Sequence, residues 1–463
     1  RYKPLLILGI ETSCDDTCVS LLSRPSPSSA YLMYNGKTVS DNTEFRGVVP
    51  TVAIASHTSG LAGLVEQALL SLPLCGSVNE DSILLNGRLR TKPDAIAVTR
   101  GPGMMANLAV GLNTAKGLSL AMQRPMIGVN HMQAHALTPR LVSAMENFAQ
   151  GSSASEYAAL EAGKKTGVLF SQFVMTEGKE MDNRPSMEPE YPFLTLLVSG
   201  GHTQLSLSLS PTSHPILASV SHLALGRMLD HSARLILPPE LLAQHQDVMY
   251  GRLMEEYAFP RSNTDEENYG WYVPPAKRRD EITPSRAGDS WRWTLPVPLA
   301  DTRRMEYDFT GLRGSITKIV HHEEFMGLPF SEAERRTMAR EVMRLCFEHL
   351  ASRILFHRGA CGSSTVVRGR NVRDVVVAGG VASNRFLRHV LRKVLDARGY
   401  AHVRLGAPPT WLCTDNAAMI AWTGAKMWDA GYRTSLDVLP RKKWSVDHRA
   451  EDGGVLGVDG WVM

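Results

Sequence analysis

No stretch of this chain stays apolar for the roughly 20 residues that a membrane-spanning helix needs, so no membrane partner is expected. Paired cysteines are missing as well. Cys14, Cys18, Cys75, Cys346, Cys361 and Cys413 are scattered without a Cys-x-x-Cys, which argues against a disulfide scaffold or a structural zinc knuckle and suits a reducing compartment. Neither sign of charge dominates: 50 Lys and Arg stand against 46 Asp and Glu, a net +4. That balance permits a nucleic-acid partner without demanding one, because the basic residues would have to cluster to attract phosphates. His-Glu-x-x-His is absent too, and Met132 stands where a metalloprotease needs its water-activating Glu. The first residue is Arg1 rather than Met, so a removed presequence or a trimmed chain is expected. With 463 residues the chain exceeds one ordinary core, and two or three domains follow.

What is present centres on Val129-Asn130-His131-Met132-Gln133-Ala134-His135. Positions i and i+4 share a helix face, so His131 and His135 are placed to hold one metal ion between them. Asn130 is a good N-cap for that helix, and Pro139 is expected to end or kink it soon after. A third ligand must then come from elsewhere in the chain.

Around this point the pattern alternates strands, small polar turns and helices. Residues 5–10 form an unbroken apolar run, as in a strand buried on both faces. Glu11 to Thr17 makes a polar turn and residues 19–22 return to a strand, while 23–40 and 75–92 read as loops. A helix carrying His57 is expected up to residue 70. Residues 94–99 form a strand, Arg100-Gly101-Pro102-Gly103 a sharp turn and 104–123 a helix, an arrangement able to present backbone N–H groups to an anion. Residues 125–129 add a strand. The strand, small-residue turn and strand of the opening recur at 193–199, Gly200-Gly201-His202-Thr203 and 204–209. Such a structural repeat suits a cradle for a nucleotide's phosphates. Later, 374–378 reads as a buried strand before Gly379-Gly380, with Ser383 or Asn384 capping a helix that ends near Gly399. Thr414 is read as the N-cap of a further helix, which puts Asp415 in its first turn as a candidate third metal ligand.

Six motifs stand in order: Gly9-Ile10-Glu11-Thr12-Ser13-Cys14-Asp15, Arg100-Gly101-Pro102-Gly103, Val129-Asn130-His131 with His135, Leu197-Val198-Ser199-Gly200-Gly201-His202-Thr203, Gly379-Gly380-Val381-Ala382-Ser383-Asn384 and Cys413-Thr414-Asp415-Asn416. From about residue 5 to 444 the chain thereby resembles the tRNA N6-adenosine threonylcarbamoyltransferase family, once called the glycoprotease family. The resemblance implies an α/β, two-lobed fold of the actin, Hsp70 and sugar-kinase class, each lobe a mixed sheet flanked by helices. It implies transfer of a threonylcarbamoyl group from threonylcarbamoyl-AMP, supplied by a separate synthase, to N6 of adenosine 37 in tRNAs reading ANN codons. His131, His135 and Asp415 would hold one divalent metal per subunit, Zn or Fe. Leu197, Val198, Ser199, Gly200, Gly201, Asp230, Gly251 and Asn384 would bind the donor, and Glu11 and Asp15 would be catalytic. The lobes are expected at 1–140 and 193–424, with an irregular 141–192 between them, an insertion at 258–305, and 425–463 packing back on the first lobe.

Two departures fall in Gly226-Arg227-Met228-Leu229-Asp230-His231, where Arg227 and His231 replace an acid and a Lys common in the family, and Gly251 is the nearest counterpart of its glycine-rich turn. They leave a catalytically weak nucleotide- or tRNA-binding scaffold as the alternative, beside an ATP-hydrolysing relative of the same fold. Trp271, Tyr272, Lys277, Arg278, Arg279, Trp291, Arg292 and Trp293 mix rings with cations, as a nucleic-acid contact would. The basic residues Arg385, Arg388, Arg392 and Lys393, and Arg441-Lys442-Lys443-Trp444, are comparable candidates for tRNA backbone contacts. The chain is most similar to the mitochondrial branch, which implies the matrix and a homodimer.

Overall fold

The computed structural model describes residues 4–45, 47–151, 187–245, 249–260, 265–283, 291–360, 366–367 and 370–463. Cys361, most of the linker expected at 141–192, and parts of the insertion expected at 258–305 lie outside them. The chain forms two α/β units. The first comprises residues 1–191, 208–215 and 408–463, the second residues 192–207 and 216–407.

In the first unit, strands β1 (Leu5–Glu11), β2 (Asp16–Ser26), β3 (Ser29–Val39), β6 (Ala95–Gly101) and β7 (Met126–Asn130) join two short strands from the end of the chain, β16 (Arg433–Thr434) and β17 (Trp461–Val462). Their order is β17-β16-β7-β6-β1-β2-β3. β1 runs antiparallel to β2 and parallel to β6. Every residue of β1 and β6 is buried, as the apolar run predicts, because helices cover both faces. Leu8, Ile10, Ile96 and Val98 meet Leu61, Val65, Leu112 and Ala115 of α1 (Pro50–Leu70) and α2 (Met105–Met122). Each such aliphatic side chain contributes about 1.5–3 kcal/mol by leaving water. On the other face, a Cβ on Gly9 would lie 2.5 Å from the Ala417 carbonyl oxygen, so only glycine lets the helix Ala417–Asp429 approach so closely.

Two expected loops are strands. Residues 29–39 pair with β2 as β3, because Tyr31, Leu32, Met33 and Tyr34 are strand formers that the nearby Ser and Pro had obscured. Residues 82–91 form a hairpin of β4 (Ser82–Leu85) and β5 (Arg88–Thr91). Asn86 and Gly87 turn it with positive φ of 46° and 73°, the dipeptide such turns favour. Pro139 does not end its helix either: α3 (His131–Gly151) runs on past it, with Leu141, Val142, Ala144 and Met145 buried. Residues 141–151 are therefore helical rather than irregular.

The second unit holds β8 (Phe193–Val198), β9 (Thr203–Ser208), β10 (Ile216–Val220), β11 (Glu306–Tyr307), β14 (Asp374–Ala378) and β15 (Arg404–Gly406), in the order β11-β10-β9-β8-β14-β15. A small hairpin, β12 (Val366–Val367) with β13 (Arg370–Asn371), stands apart. β14 lies parallel to β8 and β15. Each unit is thus a mixed sheet flanked by helices. The chain re-enters the first unit at Pro408, ahead of the boundary read at 424, because the helix Ala417–Asp429 is buried on nearly every side. No helix among the described residues is long and apolar enough to cross a membrane.

Candidate functional site

Asn130 fixes where α3 begins. Its side-chain oxygen accepts the Met132 and Gln133 N–H groups at 2.9 and 3.2 Å, while its amide donates to the Trp444 and Ser445 carbonyls at 3.1 and 3.3 Å. The cap read from sequence therefore also ties the helix to the chain's last segment. One turn apart, the His131 and His135 rings stand edge to face with centroids 4.7 Å apart.

Asp415 reaches both. Its Oδ1 lies 3.4 Å from His131 Nε2 and 3.2 Å from His135 Nε2, and one donor atom from each of the three residues lies within 4.8 Å of the others. All three belong to the first unit. Asp415 is not in the first turn of a helix, however, and Thr414 is not the cap. A short helix ends at Cys413, and the side chain of Asn416 accepts the Met419 N–H at 2.9 Å to start the next one. Asn at this position competes well with Thr for a helix N-terminus.

Behind His131 stands Glu11, fully buried. One carboxylate oxygen accepts the Ser13 N–H at 2.5 Å, and the other accepts the Thr99 hydroxyl at 2.5 Å and His131 Nδ1–H at 3.0 Å. With both oxygens occupied, Glu11 orients an imidazole. This is the carboxylate–histidine arrangement that fixes the tautomer of metal-binding histidines, leaving Nε2 free to ligate.

The charges sort accordingly. Burial pushes the Glu11 and Asp415 carboxyls up, but His131 outweighs it and holds both below their ordinary values, with His135 assisting at Asp415. Burial pushes His131 down, yet the two flanking carboxylates raise it to about 10. His135 is lowered, chiefly by burial. Two imidazoles and a carboxylate form a donor set suited to Zn or Fe, and the Glu11 support matches such a centre, so these residues fit the divalent metal implied by the sequence.

The tip of the β1–β2 hairpin carries Asp15 and Asp16 beside this cluster. Cys14 O accepts His57 Nε2–H at 3.0 Å and the Asn107 side-chain amide at 2.5 Å, Thr17 Oγ1 meets His57 Nδ1 at 2.7 Å, and the Ser40 N–H binds Asp15 O at 3.1 Å. The peptide before Asp15 is therefore held from α1 and α2, and the one after it from the chain beyond β3. Sequence reading noted His57 but gave it no role, and it missed Asn107 and Thr99. Nothing in their local sequence marks them, since their partners lie 40 or more residues away. Burial raises Asp16 to about 7 despite nearby Lys37, and raises the Cys14 thiol, helped by Asp415, Asp15 and Asp16.

The expected donor-binding residues lie in the second unit. Leu197 and Val198 end β8, and Ser199 closes a tight turn by binding the His202 carbonyl through its N–H at 2.8 Å. Gly200 and Gly201 have open space where a side chain would be. Gly226 packs against this turn: a Cβ there would lie 2.8 Å from Gly200 Cα, Gly200 N and Ser199 O. Asp230 Oδ1 accepts the Gly251 N–H at 2.8 Å, so two residues 21 apart in sequence are brought together, although Gly251 sits in the helix Tyr250–Ala258 rather than in a turn. Asn384 caps the helix Arg385–Ala397 by accepting the Leu387 N–H at 2.8 Å. Arg227 is exposed, and His231 Nε2 lies 3.2 Å from Thr317 Oγ1.

Several ring and cation candidates are committed to the fold. Tyr269, Tyr272 and Trp293 are buried, Tyr272 O–H donating to Glu348 and Trp293 Nε1–H to Glu334, both at 3.0 Å. Trp271 stays exposed. Arg392 binds Asp396 at 2.6 Å, Arg441 binds Asp459 at 2.5 Å, and Trp444 is buried beneath Arg100.

A family model, TsaD: tRNA N6-adenosine threonylcarbamoyltransferase, matches residues 34–150 and 175–422. Among curated proteins, the mitochondrial tRNA N6-adenosine threonylcarbamoyltransferase of Schizosaccharomyces pombe is 29% identical over 474 residues, spanning 100% of this chain and 90% of that one. The tRNA N6-adenosine threonylcarbamoyltransferases of Brucella ovis and Brucella abortus are each 29% identical over 446 residues, spanning 96% of both chains.

Proposed function

Because this chain belongs to the tRNA N6-adenosine threonylcarbamoyltransferase family, we propose that it moves a threonylcarbamoyl group from threonylcarbamoyl-AMP to N6 of adenosine 37 in tRNAs reading ANN codons. The observation that carries this reading is the meeting of His131, His135 and Asp415 with Glu11 behind them. Those three residues hold one divalent cation, Zn or Fe. When bound, such a cation supplies Lewis acidity and a template for substrate oxygens.

The acyl-adenylate is already activated, so the protein's task is placement and charge stabilisation. The adenosine amine attacks the carbamoyl carbon, a C–N bond forms, and the C–O bond to the phosphate breaks as AMP leaves with the electron pair. Asp15 accepts the amine proton, on a hairpin tip braced by His57 and Asn107. By accepting from Nδ1, Glu11 turns His131 Nε2 toward the metal position. The turn Ser199-Gly200-Gly201, with Leu197, Val198, Asp230, Gly251 and Asn384, binds the adenylate. Open space at both glycines supports close approach of a phosphate to backbone N–H groups. The mitochondrial relative supports placing the protein in the matrix, and we take it to act there as a homodimer.

The test is reconstitution with a threonylcarbamoyl-AMP synthase, ATP, threonine, bicarbonate and an ANN-decoding tRNA. Threonylcarbamoyladenosine should form. Its absence while the synthase is demonstrably active would remove the enzymatic reading, and steady ATP hydrolysis without tRNA would favour a phosphotransfer relative instead.

A further inference from the structure

Lys37 lies on β3, in the stretch read from sequence as a loop, and pairs across the sheet with Cys18 of β2. Its ammonium has three protons to donate, and the structure gives it three acceptors: Asp16 Oδ2 at 2.5 Å, Asp415 O at 3.2 Å and Thr414 Oγ1 at 3.3 Å. Cys18 Sγ adds a weaker donor to the same Asp415 carbonyl, at 3.6 Å. One side chain therefore joins the hairpin tip to a loop that arrives from nearly 380 residues further along the chain.

That loop needs an anchor. Thr414 and Asp415 lie between a helix that stops at Cys413 and one that starts at Ala417, so no helical hydrogen bonding fixes the Asp415 backbone. Its carboxylate points at the two imidazoles while its carbonyl points toward Lys37. Holding the carbonyl sets the direction of the carboxylate. With all three protons used internally, Lys37 has none left for a substrate anion, although a third of its side chain is exposed.

We infer that Lys37 is a positioning residue of the metal centre, fixing the Asp415 loop and the Asp16 carboxylate in one frame. The inference rests on the metal-binding reading given above. Losing a group that orients a metal ligand typically weakens affinity by about 10–100-fold. Lys37→Met keeps the length and apolar stem but removes every donor, whereas Lys37→Arg keeps the cation and several donors.

The experiment is a Zn2+ competition titration against a chromophoric chelator on the full chain, with metal-free thermal unfolding run in parallel. Expected are a Kd about tenfold or more weaker for Lys37→Met, an intermediate value for Lys37→Arg, and a metal-free midpoint that stays near wild type in Lys37→Arg but falls in Lys37→Met, which leaves the largely buried Asp16 carboxylate without its cation. A merely structural lysine would lower the midpoint and leave the Kd alone in both variants. That result, or an unchanged Kd with an unchanged midpoint, overturns the inference while leaving the metal centre standing. Failure of the wild-type chain to bind Zn2+, or binding undiminished in His135→Ala, would overturn the metal reading and this inference with it.

Discussion

Replacing Glu11 by Gln should disarm the metal centre without unfolding the protein, through the placement of one proton. The Ser13 N–H can only donate, so the glutamine oxygen must take the position it faces, 2.5 Å away. The amide NH2 then falls where the other carboxylate oxygen met Thr99 and His131. The Thr99 hydroxyl can turn and accept, but His131 Nδ1 must give up its proton to accept as well. The imidazole proton moves to Nε2, the atom 3.4 Å from Asp415 Oδ1, and a protonated nitrogen cannot ligate. The expected loss of Zn2+ affinity is about 10–100-fold, equivalent to about 1.4–2.7 kcal/mol. Chelator competition measures it, and nitrogen chemical shifts of labelled histidine report the tautomer. Glu11→Ala is a poorer probe, because it leaves a buried N–H and hydroxyl without partners at about 1–3 kcal/mol each. A Glu11→Gln Kd within about twofold of wild type would refute this reasoning, since a tenfold change is only about 1.4 kcal/mol.

Saturating Zn2+, at about a hundred times its Kd, should stabilise the wild-type chain by about 2.7 kcal/mol; the same increment surviving in His135→Ala would place the ion elsewhere. His214 is fully buried, its Nδ1 2.9 Å from Ser208 Oγ and its Nε2 3.0 Å from Pro211 O, and burial lowers it from 6.5 to about 4. Between those values the unfolded chain binds a proton that the folded one refuses, so stability is complete above pH 6.5 and roughly 3 kcal/mol is lost on acidification toward pH 4. His214→Gln should flatten that part of a pH series of denaturant midpoints, and an unaltered slope would assign the effect to other groups. Gly226→Ala puts a methyl 2.8 Å from the Gly200 backbone, so the turn must shift, costing about 1–3 kcal/mol. Calorimetric titration should find donor or AMP binding weakened in this variant; unchanged binding would release the turn from its proposed role.

The sequence pointed to the candidate metal cluster through local motifs: a helical repeat for the histidines, and for Asp415 the short segment between two helices, although its expected place in a first helical turn was wrong. It also carried β1, β6, β8 and β14, whose mainly apolar sequences have one physical explanation, burial on both faces. Competition between local signals defeated it elsewhere. Asn416 outbid Thr414 as a cap. The Asn86-Gly87 turn stood in plain view but was flanked by strands of only four residues. Pro139 lost to the buried face of α3, where tertiary packing outweighs one missing hydrogen bond. Tyr272 and Trp293 read as nucleic-acid contacts because composition does not reveal that Glu348 and Glu334 lie opposite to receive them. The Glu11 contact to His131 spans 120 residues and the Lys37 contacts to Thr414 and Asp415 span 377 and 378; pairings at that range depend on the whole topology.

The first unit borrows its edge strands β16 and β17, and one residue of its candidate metal cluster, from residues 408–463. On the ribosome, therefore, a nascent polypeptide can form β1 through β7 early and still carry an incomplete centre until residue 415 has been added. Premature termination anywhere before Asp415 would release a product with both imidazoles but no carboxylate partner from Asp415. Translation thus has a built-in ordering: a centre of all three residues can assemble only after Asp415 has been added, so a product cut short before it lacks the third member of the set.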